Sequence, residues 1–138
     1  MIAAAILITA MAQTPVSFTT IQKGPLSGID TARQVVVRSE AEWKTLWREH
    51  QPDREEPTVD FSRSIIVALF MGSRRTAGYG IEVTRVERTG DDLTVFYRQT
   101  TPPPDAMTAQ VITAPFHIIQ VNRAPGDVRF ELDRSPSK

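Results

Sequence analysis

Short runs of apolar and β-branched residues, separated by turn residues, make up most of this chain and limit what it can fold into. Residues 64–71 (SIIVALFM) would present apolar side chains on both faces of a strand, which is typical of a central strand. Residues 33–38 (RQVVVR) fit a short buried strand, and residues 115–121 (PFHIIQV) fit another strand. Residues 127–132 alternate polar and apolar side chains, as a half-buried strand does. In total, the pattern predicts about six or seven short strands.

A hairpin is predicted where residues 80–88 and 93–100 flank the turn sequence Thr-Gly-Asp-Asp. Ile81 and Val83 share one face of the first strand, whereas Val86 falls out of phase with them, which indicates a bulge or a local twist. Because hairpin-like connections dominate, we expect a mainly antiparallel arrangement.

One helix is clearly marked in the first half of the chain. Ser39 is a favourable N-cap, and Glu42 three residues later completes a capping box. Pro52 should end the helix, because it disfavours helical geometry at the preceding residue. The predicted fold class is therefore α+β, predominantly antiparallel β with one amphipathic helix packed on the sheet. The large apolar residues of that helix share one face and are expected in the core: Trp43, Leu46 and Trp47.

Composition excludes several functional classes. The chain has 16 basic and 16 acidic side chains, and a net charge of zero argues against a nucleic-acid-binding protein. It has no cysteine, which rules out disulfides, thiolate nucleophiles and zinc–thiolate sites. Any function must therefore come from a local motif.

The residues that could carry catalysis are few and scattered. His50 falls at the predicted helix end, where an imidazolium ion would suit the helix dipole, and His117 falls in the middle of a strand. Neither lies in a known nucleophile motif or at metal-ligand spacing from other ligands, so we expect no catalytic residue, no metal and no cofactor. Two carboxylate pairs fall in a charged loop and in the hairpin turn, where we expect them to be solvated: Glu55 with Glu56, and Asp91 with Asp92.

The N-terminus indicates the compartment. Residues 1–11 (MIAAAILITAM) are apolar, and Ala-Met-Ala at 10–12 has the form of a cleavage site before Gln13, although the basic n-region of a secretory signal is missing. We favour a signal-peptide remnant over residues 1–12 and a single β-rich domain over 13–138, which implies an extracytoplasmic protein. The alternative is an apolar strand or helix of the fold. The run is too short to cross a bilayer, which needs about 20 apolar residues.

Residues 71–80 (MGSRRTAGYG) join two confident strands and are the strongest candidate for a binding element. Glycine allows positive φ and close backbone approach, and Arg and Tyr are favoured at protein interfaces. The other interpretation of this segment is a plain strand connection. The candidate partner-binding residues are Gly72, Arg74, Arg75, Thr76, Gly78 and Tyr79.

The same region resembles a known family. Residues 72–83 (GSRRTAGYGIEV) are similar to the glycine-rich signature of the PrcB C-terminal domain family, and residues 114–121 (APFHIIQV) are similar to a later strand of that family. The helix motif around Trp43 and the Asp-Phe pair at 60–61 extend the resemblance upstream, so that it spans residues 39–121. One departure is Ala77, which stands where the family usually has glycine. Alanine costs little there if φ is negative, but it would strain a left-handed turn.

The resemblance implies an accessory role. The founding member of the family is a non-catalytic partner that associates with a subtilisin-like protease at the cell surface and stabilises it. We therefore expect an exported, non-enzymatic protein that binds a protein partner, with no nucleic acid and no stable membrane span.

Three alternatives remain at this stage. The first is a protease inhibitor acting through the 72–80 loop, because Thr-Ala-Gly-Tyr is loosely similar to a loop of chagasin-type inhibitors. The second is a small-molecule-binding module with a pocket lined by Trp43 and Trp47. The third is a hydrolase, which would need His117 close to a serine and a carboxylate.

Overall fold

A computed structural model of the protein describes residues 12–135, which form eight strands and one helix in three layers. In sheet I the strand order is β1-β5-β6-β8, and in sheet II it is β2-β7-β4-β3. In chain order the elements are β1 (Thr14–Val16), β2 (Phe18–Gly24), β3 (Arg33–Val37), α1 (Glu40–His50), β4 (Ser64–Phe70), β5 (Gly80–Thr89), β6 (Asp92–Thr100), β7 (Phe116–Asn122) and β8 (Val128–Leu132).

Sheet II is the middle layer, and β4 shows why. All seven residues of β4 are buried. Ile65, Val67 and Leu69 pack in a core between the two sheets, whereas the alternate residues of the strand pack in a second core beneath α1. A strand covered on both faces must be apolar on both faces, so the prediction of a central strand here is confirmed.

The helix forms as its capping signals predict. The backbone N–H of Glu42 donates to the Ser39 hydroxyl over 3.3 Å, and that hydroxyl donates to the Glu42 carboxylate over 3.0 Å. Trp43 and Trp47 are buried, and their indole N–H groups donate to the carbonyls of Pro57 and Arg54, each over 2.9 Å. The tryptophans are thus satisfied members of the core, which confirms their predicted role.

The predicted hairpin and its bulge are both present. Strands β5 and β6 pair in antiparallel fashion, and the register shifts between Val83 and Arg85, leaving Thr84 as the extra residue. Because of this bulge, Val86 returns to the buried face that it would otherwise miss. The Thr84 hydroxyl donates to the Asp133 carboxylate over 2.6 Å, and this bond is the largest cause that holds the pKa of Asp133 well below its usual range.

Three details differ from the sequence prediction. The β-branched residues 16–21, whose pattern fits a single strand, are divided between β1 and β2, which belong to different sheets, so the strands of residues 12–135 number eight. Strand β3 lies at the edge of sheet II, and its residues Val35 and Val36 are only half-buried. Strand β8 runs parallel to β6, which makes sheet I mixed.

The predicted signal segment falls almost entirely on residues 1–11, which lie outside the described residues. Over residues 12–135, no helix has the length and apolar character needed to cross a membrane.

Candidate functional site

The 72–80 loop leaves β4 through a glycine that no other residue can replace without strain. Gly72 is buried and has φ +84°, in the region that side chains disfavour. A Cβ atom at this position would lie 2.9 Å from the backbone nitrogen of Ala32. The close approach lets the next residue, Ser73, donate its N–H to the carbonyl of Asp30 over 2.9 Å. The start of the loop is therefore fixed against the segment that precedes β3.

The other side of the loop is bound to the chain that follows β6, residues 101–113, here called the 101–113 segment. Arg74 and Thr113 exchange two backbone hydrogen bonds, of 2.7 and 2.8 Å. The N–H of Ala77 donates to the carbonyl of Ala109 over 3.0 Å, and the Thr113 hydroxyl donates to the carbonyl of Thr76 over 3.0 Å. With anchors on both sides, the loop is held in one conformation.

Ala77, which stands where the family usually has glycine, fits the loop without backbone strain. Within residues 12–135, positive φ occurs only at glycines, so Ala77 has negative φ. The left-handed position is the next one, Gly78, with φ +97°. A Cβ atom on Gly78 would lie 2.9 Å from Cβ of Pro102 in the 101–113 segment.

The Ala77→Gly substitution, which restores the usual family residue, should therefore lower the free energy of unfolding slightly, by about 0.5–1 kcal/mol. The reason is that glycine has more freedom in the unfolded chain and gains nothing from positive φ at this position. Urea denaturation would check this value. A gain in stability would contradict the assignment of negative φ to residue 77.

The arginines and the tyrosine of the loop have different surroundings. The Arg74 guanidinium lies over the Tyr79 ring, 5.4 Å from its centroid, and Tyr79 is half-buried against the core between the sheets. Arg75 is exposed. Among the described ion pairs, none involves Arg74 or Arg75. Arg74 and Tyr79 thus support the loop, while Arg75 points a free charge outward.

The structure adds apolar residues that sequence reasoning did not assign to the site. Met107 is fully exposed, Val111 is 52% exposed and Ile112 is 72% exposed. All three lie on the 101–113 segment, which is hydrogen-bonded to the loop. The only signal in the sequence was an apolar stretch without strand or helix periodicity. We call the exposed part of the 72–80 loop, together with Met107, Val111 and Ile112, the binding surface.

His50 lies in a chain of hydrogen bonds beneath the helix. Its Nδ1 is 2.7 Å from the Ser27 hydroxyl, and its Nε2 is 2.7 Å from Oε1 of Gln22. Because an amide oxygen only accepts, Nε2 carries the proton and Nδ1 accepts from Ser27. Burial lowers the pKa of His50 to about 4. The expectation of an imidazolium ion at the helix end is therefore wrong, since the side chain is 2% exposed and neutral.

His117 joins the two sheets. Its Nδ1 accepts the backbone N–H of Val83 over 2.8 Å, next to the β5 bulge, and its Nε2 lies 2.9 Å from the Thr20 hydroxyl. Burial, followed by the positive charge of Lys23, lowers the pKa of His117 to about 4, against a smaller opposing effect of Glu82. The ring thus has a backbone amide and a threonine as its partners, and the serine and carboxylate of a hydrolase triad do not meet it.

Neither histidine belongs to a metal site. Within the part of the chain that the structure describes, no group of three or more His, Asp or Glu side chains could hold a metal ion. The Ser27–His50 pair is completed by the neutral amide of Gln22, which cannot stabilise an imidazolium ion as a carboxylate does. In both clusters the ring nitrogens of the histidine are satisfied by hydrogen bonds within the fold.

With this geometry known, the chain was compared with known proteins. Residues 65–122 match the family described as PrcB C-terminal. This confirms the resemblance found in the glycine-rich sequence. The matched residues run from β4 through β7, so they include the 72–80 loop and the 101–113 segment that anchors it. Comparisons with curated proteins and with solved structures gave no match.

Proposed function

We propose that this protein is an exported, non-enzymatic accessory protein that binds and stabilises a protease, and that it does so through the binding surface. The observation that carries the proposal is the position of that surface. Exposed apolar side chains lie on a segment hydrogen-bonded to the glycine-rich loop, and both parts fall inside the PrcB C-terminal match. A subtilisin-like enzyme is the partner class that the family resemblance favours.

The physical character of the surface supports protein binding. The loop is anchored on both sides and loses little conformational entropy on docking. Val111 and Ile112 are neighbours in the chain and both are exposed, and exposed apolar patches typically mark interaction sites. Arg75 adds a charge at the edge, where it would steer a partner and fix its orientation.

Two further observations support the rest of the proposal. Both histidines are buried and their ring nitrogens are occupied by hydrogen bonds inside the fold, which favours a non-enzymatic role. The apolar run at residues 1–11, followed by an Ala-Met-Ala sequence, favours export before the partner is met.

The test is a binding titration with a protease partner. The tagged protein would be purified from its own cells, the captured protease identified by mass spectrometry, and its affinity measured with purified components. Ile112→Ser combined with Arg75→Ala should weaken binding at least about tenfold, since truncated interface anchors commonly cost more than 1 kcal/mol. Arg54→Ala, which removes an exposed arginine from a loop outside the binding surface, should leave the affinity unchanged.

The activity of the captured protease then separates two modes. Longer-lived activity in the presence of the protein supports stabilisation, whereas stoichiometric loss of activity would show inhibition instead. Recovery of no protease, or equal affinity for the double variant and Arg54→Ala, would contradict the proposal.

A further inference from the structure

We propose that the protein forms a two-fold symmetric dimer in which β3 of one copy pairs in antiparallel fashion with β3 of a second copy, so that the two copies of sheet II become one continuous sheet. This surface is separate from the 72–80 loop. The inference rests on three features of β3: its unprotected edge, the groove beside it, and the charges at the two ends of that groove.

Edge strands usually carry features that prevent pairing with another chain, such as proline, a bulge or charged side chains. Three of the four edge strands in the two sheets have such protective features. Strand β1 is three residues long and contains Pro15, β2 has a register shift between Thr20 and Gln22, and β8 carries Arg129 and Glu131. Strand β3 is regular, its one charged residue, Arg33, stands at its start, and its last three residues are valines. It is therefore the edge best suited to accept another strand.

The hydrogen-bonding groups of β3 that face outward can be assigned. The N–H of Met71 donates to the carbonyl of Pro115, so odd-numbered residues of β4 face β7 and even-numbered residues face β3. In the β3–β4 register, Val35 pairs with Ala68, so the odd-numbered residues of β3 are bonded to β4. The N–H and C=O groups of Gln34 and Val36 consequently point away from the sheet.

If a two-fold axis passes between the Val35 residues of the two copies, these outward N–H and C=O groups gain hydrogen-bond partners. Gln34 of each copy then lies opposite Val36 of the other, and each such pair exchanges two hydrogen bonds. Val35 lies opposite its own counterpart in a non-hydrogen-bonded pair, where Cα atoms approach to about 4.5 Å.

The groove next to β3 has the shape and charge for this partner. It is lined by β3 on one side and α1 on the other, with Val35, Val37 and Leu46 at its apolar base and the small residues Ala41 and Thr45 along the helix. These small side chains leave room for the valines of an added strand.

The two ends of the groove differ in charge: one holds an ion pair, and the other is acidic. At the start of β3, Arg33 pairs with Glu49 over 2.7 Å, and at the far end the groove is lined by Glu42. In the two-fold arrangement, Arg33 of the second copy lies opposite Val37 and next to Glu42. The same register that satisfies the backbone therefore brings opposite charges together at both ends.

The decisive experiment uses the absence of cysteine from the chain. Val35→Cys places one thiol on the proposed axis, within the distance that a disulfide requires. Under mild oxidation it should form a covalent dimer far faster than Thr19→Cys, which places an exposed thiol on the opposite edge strand β2. Equal rates for the two variants would overturn the proposal.

Sedimentation equilibrium supplies the second measurement. Gln34→Pro removes an outward N–H without breaking the β3–β4 ladder, and it should raise the dimer dissociation constant at least about tenfold. Gln34→Ala keeps that N–H and should dimerise like the wild type, and circular dichroism would confirm that both variants fold. A wild-type protein that stays monomeric throughout the concentration series would overturn the proposal, even if β3 were then found to bind another protein.

Discussion

Lowering the pH from 7 to 4 should reduce the free energy of unfolding by several kcal/mol, because two buried histidines must stay neutral in the folded protein. The pKa values of His50 and His117 are each lowered from 6.5 to about 4. Protonation would place a charge in the core at either ring, and at His117 it would also break the hydrogen bond that Nδ1 accepts from the backbone N–H of Val83.

The direction of the effect follows from proton binding in the two states. Between pH 6.5 and about 4, the unfolded chain protonates both histidines while the folded chain does not. The unfolded state therefore binds more protons, and stability falls as the pH falls through this range. Shifts of this size correspond to about 3 kcal/mol for each histidine. This is a large fraction of the 5–15 kcal/mol, roughly, that stabilises a typical domain.

Carboxylates contribute in a lower range of pH. The pKa values of Asp60, Asp133 and Glu82 are lowered from ordinary values of 3.8, 3.8 and 4.5, with hydrogen bonds as the largest cause in each case. The stability that they provide is present above those ordinary values and is lost as the pH falls further. Loss of stability between pH 6.5 and 5 can therefore be assigned to the histidines.

Urea denaturation at half-unit intervals from pH 7 to pH 4 would measure the effect. His117→Gln should be less stable than the wild type at pH 7 and should lose stability less steeply on acidification, since one of the two titrating groups is gone. A free energy of unfolding that stays constant between pH 6.5 and 5 would show that the histidines are not held neutral in the folded state.

The histidines also show where sequence reasoning reaches its limit. A cation at a helix C-terminus gains about 0.3–1 kcal/mol, and on that ground a charged His50 was expected. The fold buries the ring between the helix and sheet II, next to Phe116 at 4.3 Å between ring centroids, where desolvation outweighs the dipole. The helix dipole does favour a cation at this position, but burial of the ring outweighs it, and the residues that bury the ring are distant in sequence.

Signals that depend on neighbouring residues predicted the fold well. The capping box at Ser39, the hairpin turn and the β5 bulge each act within a few residues, and all three are present. The division of the strands between two sheets and the parallel pairing of β8 with β6 depend on long-range contacts, and the sequence patterns did not contain them.

The same distinction applies to the binding surface. The glycines and arginines of the 72–80 loop were recognised because their residue types have a clear physical use. Met107, Val111 and Ile112 were not, because their exposure follows from how the 101–113 segment is bound along the loop.

Gly72→Ala should destabilise the protein by about 2–4 kcal/mol, the largest effect that we expect from removing a glycine of the loop. A left-handed conformation costs a side-chain-bearing residue about 1–2 kcal/mol, and Gly72 has φ +84°. The added methyl group would also lie 2.9 Å from the Ala32 nitrogen and 3.2 Å from the carbonyl carbon of Thr31. Both atoms belong to the backbone, so relief requires the segment before β3 to move.

Gly80→Ala is the matched control at the other end of the loop. Gly80 does not have positive φ, and its nearest neighbour for an added Cβ is the Thr100 side chain, at an ordinary contact distance of 3.7 Å. Its substitution should change the free energy of unfolding by less than about 1 kcal/mol. Thermal and urea denaturation of the two variants would show whether the requirement for glycine is specific to position 72. Equal stabilities would mean that the loop can leave β4 by another path and that glycine is not required at position 72.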